Sequence, residues 1–270
     1  MELVAAVKMK KAQDKATGTR AYAAKAWEIM TDAVAKIEEK DHFLLRAPEH
    51  GTDIMIIVSS DRGLCGGLNG NLFRAIEKFL AEQKGSDFRF IVIGKTGADY
   101  ARRSKKNILA VFGRLDNLPH IVEVRPAVRI LFEELGAGAV SRAFIAFNRF
   151  ASSTSQVPHI MQVFPIQKNE GVHAGSDAVR EDGKEKEFSF EPSPVTVLES
   201  LLPRLTEMQV YQAVLESNAS EHSARMIAMH NATKNSEELL GDLVSHYNQS
   251  RQQSITQEIS EISSAAEAMR

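Results

Sequence analysis

"VSSDRGLCGGLNGNLFRAIEKFL", residues 58–80, joins a run of β-formers to an amphipathic helical pattern through a glycine-rich turn. The residues just before it, Ile54–Val58, are apolar throughout, and Leu72, Phe73, Ile76, Phe79 and Leu80 recur after it at helical spacing. Strand, glycine turn and helix in that order open an α/β unit, and many such folds hold a phosphate there. The glycine spacing decides against that use. Gly63, Gly66, Gly67 and Gly70 fit no G-x-G-x-x-G frame from any start. The next β-rich run, "FRFIVIG" (88–94), ends in glycine and lysine, not in the acidic residue that would hold a ribose. A second lure, Gly94-Lys95-Thr96, would need a glycine where Arg89 stands to be a P-loop. The turn therefore reads as structural or as a contact with a neighbour. Asp61 can cap it, Arg62 can reach an outside acceptor, and Gly63, Gly66 and Gly67 permit close backbone approach or positive φ.

Outward from this turn the chain alternates. "TDIMIIVSS" (52–60), "FRFIVIG" and "VSRAFIAFNRF" (140–150) are β-rich, with helical patterns at 71–83, 96–104 and 126–135 between them. "SQVPHIMQVFPI" (155–166) adds an extended run. This order indicates a mostly parallel sheet with crossover helices, and the first two runs are apolar enough to be covered on both faces. The polar stretch 167–187 reads as a surface loop, and "FSFEPSP" (188–194) as a short segment that closes the sheet region.

The ends differ in kind. Residues 1–47 carry no proline and one glycine, and residues 195–270 carry Pro203 and Gly241 only, so both read as long helices. From Thr206 onward the second would run ~95 Å at ~1.5 Å per residue, longer than the domain beside it is wide. Leu240, Val244, Tyr247, Arg251, Ile255, Ile259, Ile262, Ala266 and Met269 step by three or four and form a coiled-coil-like seam. The two helices are expected to attach near one edge of the sheet and pair antiparallel. The longer would then leave its last ~20 residues clear of its partner, with an apolar seam exposed for another protein. The fold class is α/β: a Rossmann-like α/β domain (51–195) plus a long antiparallel coiled coil formed by the N-terminal helix (1–50) and the C-terminal helix (196–270).

Composition excludes several function classes. The 270 residues carry a formal charge of −2, without the basic bias expected of a nucleic-acid binder. Cys65 is the only cysteine, which rules out an internal disulfide and a Cys-rich zinc site, suits a reducing compartment and leaves no pair for a thiol switch. No apolar run approaches the ~20 residues that span a bilayer, and the first thirty residues show no signal-peptide core. There is no G-x-S-x-G elbow and no H-E-x-x-H motif, while His222 and His230 stand eight apart without metal-site spacing. No catalytic, cofactor-binding or metal-ligating residue is expected. The rival readings are a nucleotide-dependent enzyme, which tight one-site ATP or NAD binding would support, and a coiled-coil adaptor.

"SSDRGLCGGLNGNLFRAI" (59–76), "ESNASEHSARMIAMHNATKNSEELL" (216–240), "YNQSRQQSITQEISEI" (247–262) and the opening "MELVAAVKMKKAQ" together resemble the gamma subunits of bacterial F-type ATP synthases. The resemblance covers the whole chain. It implies a non-catalytic rotor: a central stalk whose helices turn inside a ring of alternating alpha and beta subunits. The α/β domain would stand at the foot beside the epsilon subunit and the c-subunit ring, so that proton flow drives ATP synthesis. It implies a peripheral position on the cytoplasmic side of the inner (plasma) membrane, with membrane contact only through the complex. Family contacts to the beta subunit fall on Arg251, Gln252, Thr256 and Glu258, where "RQQSITQE" is intact. Arg251 holds a seam position, where a charge costs pairing stability unless a carboxylate meets it. The family carries about twenty more residues ahead of the position that Met1 matches. That leaves a misassigned start, a fragment or a short shaft as readings. The cysteine-bearing insertion of the chloroplast form is absent, so no redox control is expected.

Overall fold

The computed structural model describes residues 1–35, 51–83, 85–113, 119–165 and 194–269. Among the described residues five strands form one sheet in the order β3-β2-β1-β4-β5: β1 Thr52–Val58, β2 Phe88–Ile93, β3 Asn107–Phe112, β4 Val140–Phe150 and β5 Gln156–Phe164. β1 pairs in parallel with both β2 and β4, β2 in parallel with β3, and β5 runs antiparallel to β4. Helices α2 (Leu68–Glu82), α3 (Lys95–Arg103) and α4 (Ile121–Gly136) make the crossovers. The shaft is α1 (Glu2–Ala35) and α5 (Pro194–Ala268).

Alternation along β1 explains the layering. Met55 and Ile57 point to one face, where they pack with Leu72 and Ile76 of α2 and with Ala98, Tyr100 and Ala101 of α3. Ile54, Ile56 and Val58 point to the other, under Val124, Val128 and Leu131 of α4 and Val210, Val214 and Leu215 of α5. A strand covered on both faces has no polar side to show, which is why 54–58 is apolar without a break. The sheet therefore meets the shaft across a face. The expected attachment at an edge is incorrect, because α5 supplies one of the two helices that cover that face.

The shaft is antiparallel. Glu2 Oε1 lies 3.2 Å from His230 Nδ1, and the Thr19 hydroxyl donates to Gln212 Oε1 at 2.7 Å. Ala5, Ala12 and Ala16 are buried at intervals of seven and four, and Ala213 and Ala219 are buried on α5, so small side chains let the two backbones approach. Gln212, fully buried, also donates from Nε2 to the carbonyl of Ala16 at 3.2 Å. A buried amide matched to one partner fixes which turn of α1 lies against which turn of α5.

Other elements differ from the sequence reading. β3 was not foreseen, since it is a six-residue edge strand that is only half-covered. The turn ahead of it is a Schellman motif: Lys106 N–H reaches the Ala101 carbonyl and Lys105 N–H the Arg102 carbonyl, with Lys105 at φ 51°. The left-handed position usually held by glycine is here a lysine, so the customary stop signal is missing. α4 begins at Ile121 and not at 126, because Pro126 sits inside the helix, past a capping box between His120 and Glu123. The expected helix beyond Ala35, the loop 167–187 and most of the closing segment 188–194 lie outside the described residues.

Candidate partner interface

The glycine turn follows β1 at the carboxyl ends of the central strands. Its frame is a two-point pair: Asn69 Nδ2 donates to the Ser60 hydroxyl at 2.7 Å, and Ser60 N–H donates to Asn69 Oδ1 at 3.3 Å. The Ser60 hydroxyl in turn donates to the Arg62 carbonyl at 2.8 Å. Cys65 is buried within this frame, and burial pushes its thiol above the ordinary range. Asp61 caps α3 and not its own turn, accepting from Lys95 N–H at 2.7 Å. Positive φ falls on Leu64 (61°) and Gly66 (58°), while Gly63 and Gly67 take ordinary φ. Arg62, Gly63, Leu64, Gly66 and Gly67 are exposed.

Gly94-Lys95-Thr96 has a plain structural role. Gly94 ends β2 at φ 103° and starts α3, and a Cβ there would stand 2.2 Å from the Ser59 carbonyl oxygen. A Cβ on Gly97 would meet the Ser59 hydroxyl at 2.6 Å, and Gly97 N–H donates to that hydroxyl at 2.8 Å. Both glycines exist to let α3 press on the end of β1.

In doubly wound sheets a ligand enters where successive crossovers leave for opposite faces, between the carboxyl ends of two neighbouring strands. That point lies here between β1 and β4, and α5 closes it. The Ser220 hydroxyl donates to the Asn148 carbonyl at 3.0 Å, at the end of β4. Arg225, paired with Glu221 at 2.8 Å, donates to the carbonyls of Arg62 and Gly63 at 3.3 and 3.2 Å. The crevice that would hold a dinucleotide is filled by the shaft, and the glycine turn is its seat. Sequence spacing excluded the nucleotide motifs, but it gave no sign of Arg225, since the turn and Arg225 are more than 160 residues apart.

Beyond the foot, α5 continues alone. Every described residue from Asn231 to Met269 is exposed, about 40 residues or ~60 Å of helix at ~1.5 Å per residue. The expected overhang of ~20 is too short. That figure came from comparing helix lengths, whereas register sets it: Glu2, at the first turn of α1, stands beside His230. On the projecting helix Leu240, Val244, Tyr247, Ile255, Ile259 and Ile262 are all at least 43% exposed and form one stripe.

Arg251, Gln252, Thr256 and Glu258 stand on this segment within two turns. At ~100° per residue they do not share one face. Arg251 and Glu258 fall within the apolar stripe, between the directions of Tyr247 and Val244, whereas Gln252 and Thr256 lie just outside it on the side of Ile259. The Thr256 hydroxyl donates to the Gln252 carbonyl at 2.8 Å, which leaves its lone pairs for an outside donor. The glycine turn is not part of this patch, since Arg225 and Arg251 are ~39 Å apart along the helix. Among the described residues no His, Cys, Asp or Glu group could hold a metal ion, and no helix is long and apolar enough to cross a membrane.

A Rossmann-like domain that seats a helix longer than itself, with an exposed apolar stripe toward the tip, is a shaft-bearing assembly protein. Comparison with known proteins identifies which kind. A family model described as ATP synthase matches residues 1–269. ATP synthase gamma chains of two Dehalococcoides mccartyi strains, CBDB1 and 195, are each 38% identical over 271 residues, covering 100% of this chain and 92% of theirs. The chain belongs to the ATP synthase gamma-chain family. Its fold also matches a chain in the Tetrahymena thermophila mitochondrial ATP synthase central stalk and c-ring structure, with a TM-score of 0.63 at 22% identity over 86% of this chain and 97% of that one. A chain in the Euglena gracilis mitochondrial ATP synthase OSCP/F1/c-ring structure gives 0.59 at 21% identity over 97% and 94%.

Proposed function

We propose that this chain is the central-stalk rotor of a proton-translocating F-type ATP synthase and catalyses no reaction itself. The observation that carries the reading is the long exposed reach of α5, which carries an apolar stripe with polar side chains in and beside it. Such a helix is stable in water only at a cost, and burial in a sleeve would recover it. The sleeve would be the ring of alpha and beta subunits. Arg251 and Glu258 within the stripe, with Gln252 and Thr256 at its edge, would contact the beta subunit as different faces of the shaft turn past it. Rotation would act by differential contacts, favouring one conformation of each beta site over another.

The foot, residues 51–195, would carry the shaft segments 1–50 and 196–270 and stand beside the epsilon subunit and the c-subunit ring. The exposed residues of the glycine turn, among them Arg62, Gly63, Gly66 and Gly67, would be available to a neighbour, while Asp61 starts α3. Membrane contact would be made through the complex, on the cytoplasmic side of the inner membrane. The test is reconstitution of this chain with alpha and beta subunits from the same source, followed by assays of assembly and ATP hydrolysis. Replacing Arg251 and Thr256 by alanine should leave assembly intact and lower coupled activity. Absence of any complex, also with a longer N-terminal helix supplied, would refute the proposal.

A further inference from the structure

Besides the Arg225 seat and the Arg125–Glu207 pair, the shaft is hydrogen-bonded to the foot at two separate levels. At the lower level the carbonyl of Pro119, just ahead of α4, accepts two hydrogen bonds at once. Lys15 Nζ donates from α1 at 2.6 Å and the Tyr211 hydroxyl donates from α5 at 3.0 Å. One acceptor on the foot thereby holds both shaft helices. Lys15 Nζ also stands 5.9 Å from the centroid of the Tyr211 ring, which ties the two donors to each other.

At the upper level, about 15 Å farther along α5, the buried Ser220 donates to the Asn148 carbonyl at the end of β4. The Ser223 hydroxyl, also buried, donates to the Ser153 carbonyl in the β4–β5 hairpin and accepts from Gln156 Nε2 at 3.4 Å. Most acceptors at both levels are backbone carbonyls, which cannot swing away as side chains do. A rod held at one level can pivot. Held at two levels by different segments of the foot, it resists both tilt and twist against its mount.

We infer that Lys15, Tyr211, Ser220 and Ser223 are positioning residues that lock the angle of the shaft to the foot, so that rotation of the foot reaches the projecting helix without slack. The inference rests on the rotor reading above. None of the four residues lies on the projecting segment, so each acts on partner contacts only through the orientation of α5.

The test separates the joint from the motor. Nitroxide labels go on cysteines replacing Arg129 of α4 and Lys234 of α5, both exposed, in a full-length Cys65→Ala background, and their distance distribution is measured by pulsed electron resonance. Lys15→Met with Tyr211→Phe opens the lower level, and Ser220→Ala with Ser223→Ala opens the upper. Either pair should broaden the distribution slightly, and all four together roughly twofold. Lys15→Arg with Tyr211 kept should hold the wild-type width, since a donor remains. In the membrane-reconstituted complex the fourfold variant should hydrolyse ATP near the wild-type rate while pumping about threefold fewer protons per ATP. Lys10→Met, on the exposed face of α1, should change neither readout. An unbroadened distribution in a fourfold variant with wild-type near-UV circular dichroism would overturn the lock. So would broadening without loss of coupling. If the wild-type chain drives no pumping, also with a longer N-terminal helix supplied, the rotor reading fails, and this is visible before any variant is made.

Discussion

Replacement of Gly94 by alanine tests the account of the glycines most directly. Three effects add. The backbone at φ 103° and ψ 144° lies near a region that only glycine occupies comfortably, and an L-residue there costs about 1–3 kcal/mol. The new Cβ would stand 2.2 Å from the Ser59 carbonyl oxygen and 2.7 Å from its hydroxyl. Relief of that overlap requires α3 to move off β1. Such a shift would weaken the bonds from Lys95 N–H to Asp61 and from Gly97 N–H to Ser59, each worth about 1 kcal/mol. The expected loss is about 4 kcal/mol, a large part of the roughly 5–15 kcal/mol that stabilises a typical domain. At about 1.4 kcal/mol per decade, amide exchange from the centres of β1 and β2 should accelerate about a thousandfold. Gly63→Ala is the matched control, since a Cβ there meets nothing within 4 Å, and it should cost less than about 0.5 kcal/mol. Equal protection in wild type and Gly94→Ala, or equal damage from the two substitutions, would refute the steric reasoning.

Four further outcomes are expected. Asp53 is 2% exposed and receives Arg142 NH2 at 2.6 Å, so Asp53→Ala should cost about 3 kcal/mol in urea unfolding by leaving a half-buried guanidinium without its carboxylate. Lys105→Gly should raise stability by about 0.5–1 kcal/mol, seen as a higher melting temperature, because glycine suits the left-handed position that ends α3. Glu77 is held below its ordinary pKa: partial burial raises it, and hydrogen bonds from Tyr100 at 2.6 Å and Lys106 at 3.1 Å outweigh that. Its contribution is therefore present above the unfolded value and lost as pH falls through the folded one, so Glu77→Gln should cost up to about 1 kcal/mol at pH 7 and progressively less as pH falls below the ordinary carboxylate range. Ile259→Ser, on the exposed stripe, should leave the melting of the isolated chain unchanged within about 0.5 kcal/mol. The same substitution should weaken assembly with alpha and beta subunits at least tenfold, measured by titration.

The sequence made legible whatever depends on neighbours in the chain. The apolar run 54–58, the helical repeat after the glycine turn and the proline-poor ends declared two-sided burial, crossover helices and a long shaft. The failure of Gly63, Gly66, Gly67 and Gly70 to match a phosphate loop was also readable, because that motif is a matter of local spacing. β3 was missed because Lys105 occupies a position where glycine would have announced a turn, and a half-covered edge strand needs little periodicity. The four polar residues of the projecting segment come from family resemblance, and helical geometry puts Arg251 and Glu258 within the apolar stripe and Gln252 and Thr256 at its edge.

What only the tertiary structure decided is how distant segments meet. Asp61 serves α3 and not its own turn, Arg225 seats α5 on the glycine turn, and Pro119 binds both shaft helices through one carbonyl. The overhang likewise depends on which turn of α1 faces which turn of α5, set by Gln212 against Thr19 and Ala16. Propensity and hydrophobic period act over one or two turns and so are written in sequence order. Register and hydrogen-bond partners depend on the relative placement of elements that may be two hundred residues apart, and only the packed structure determines it.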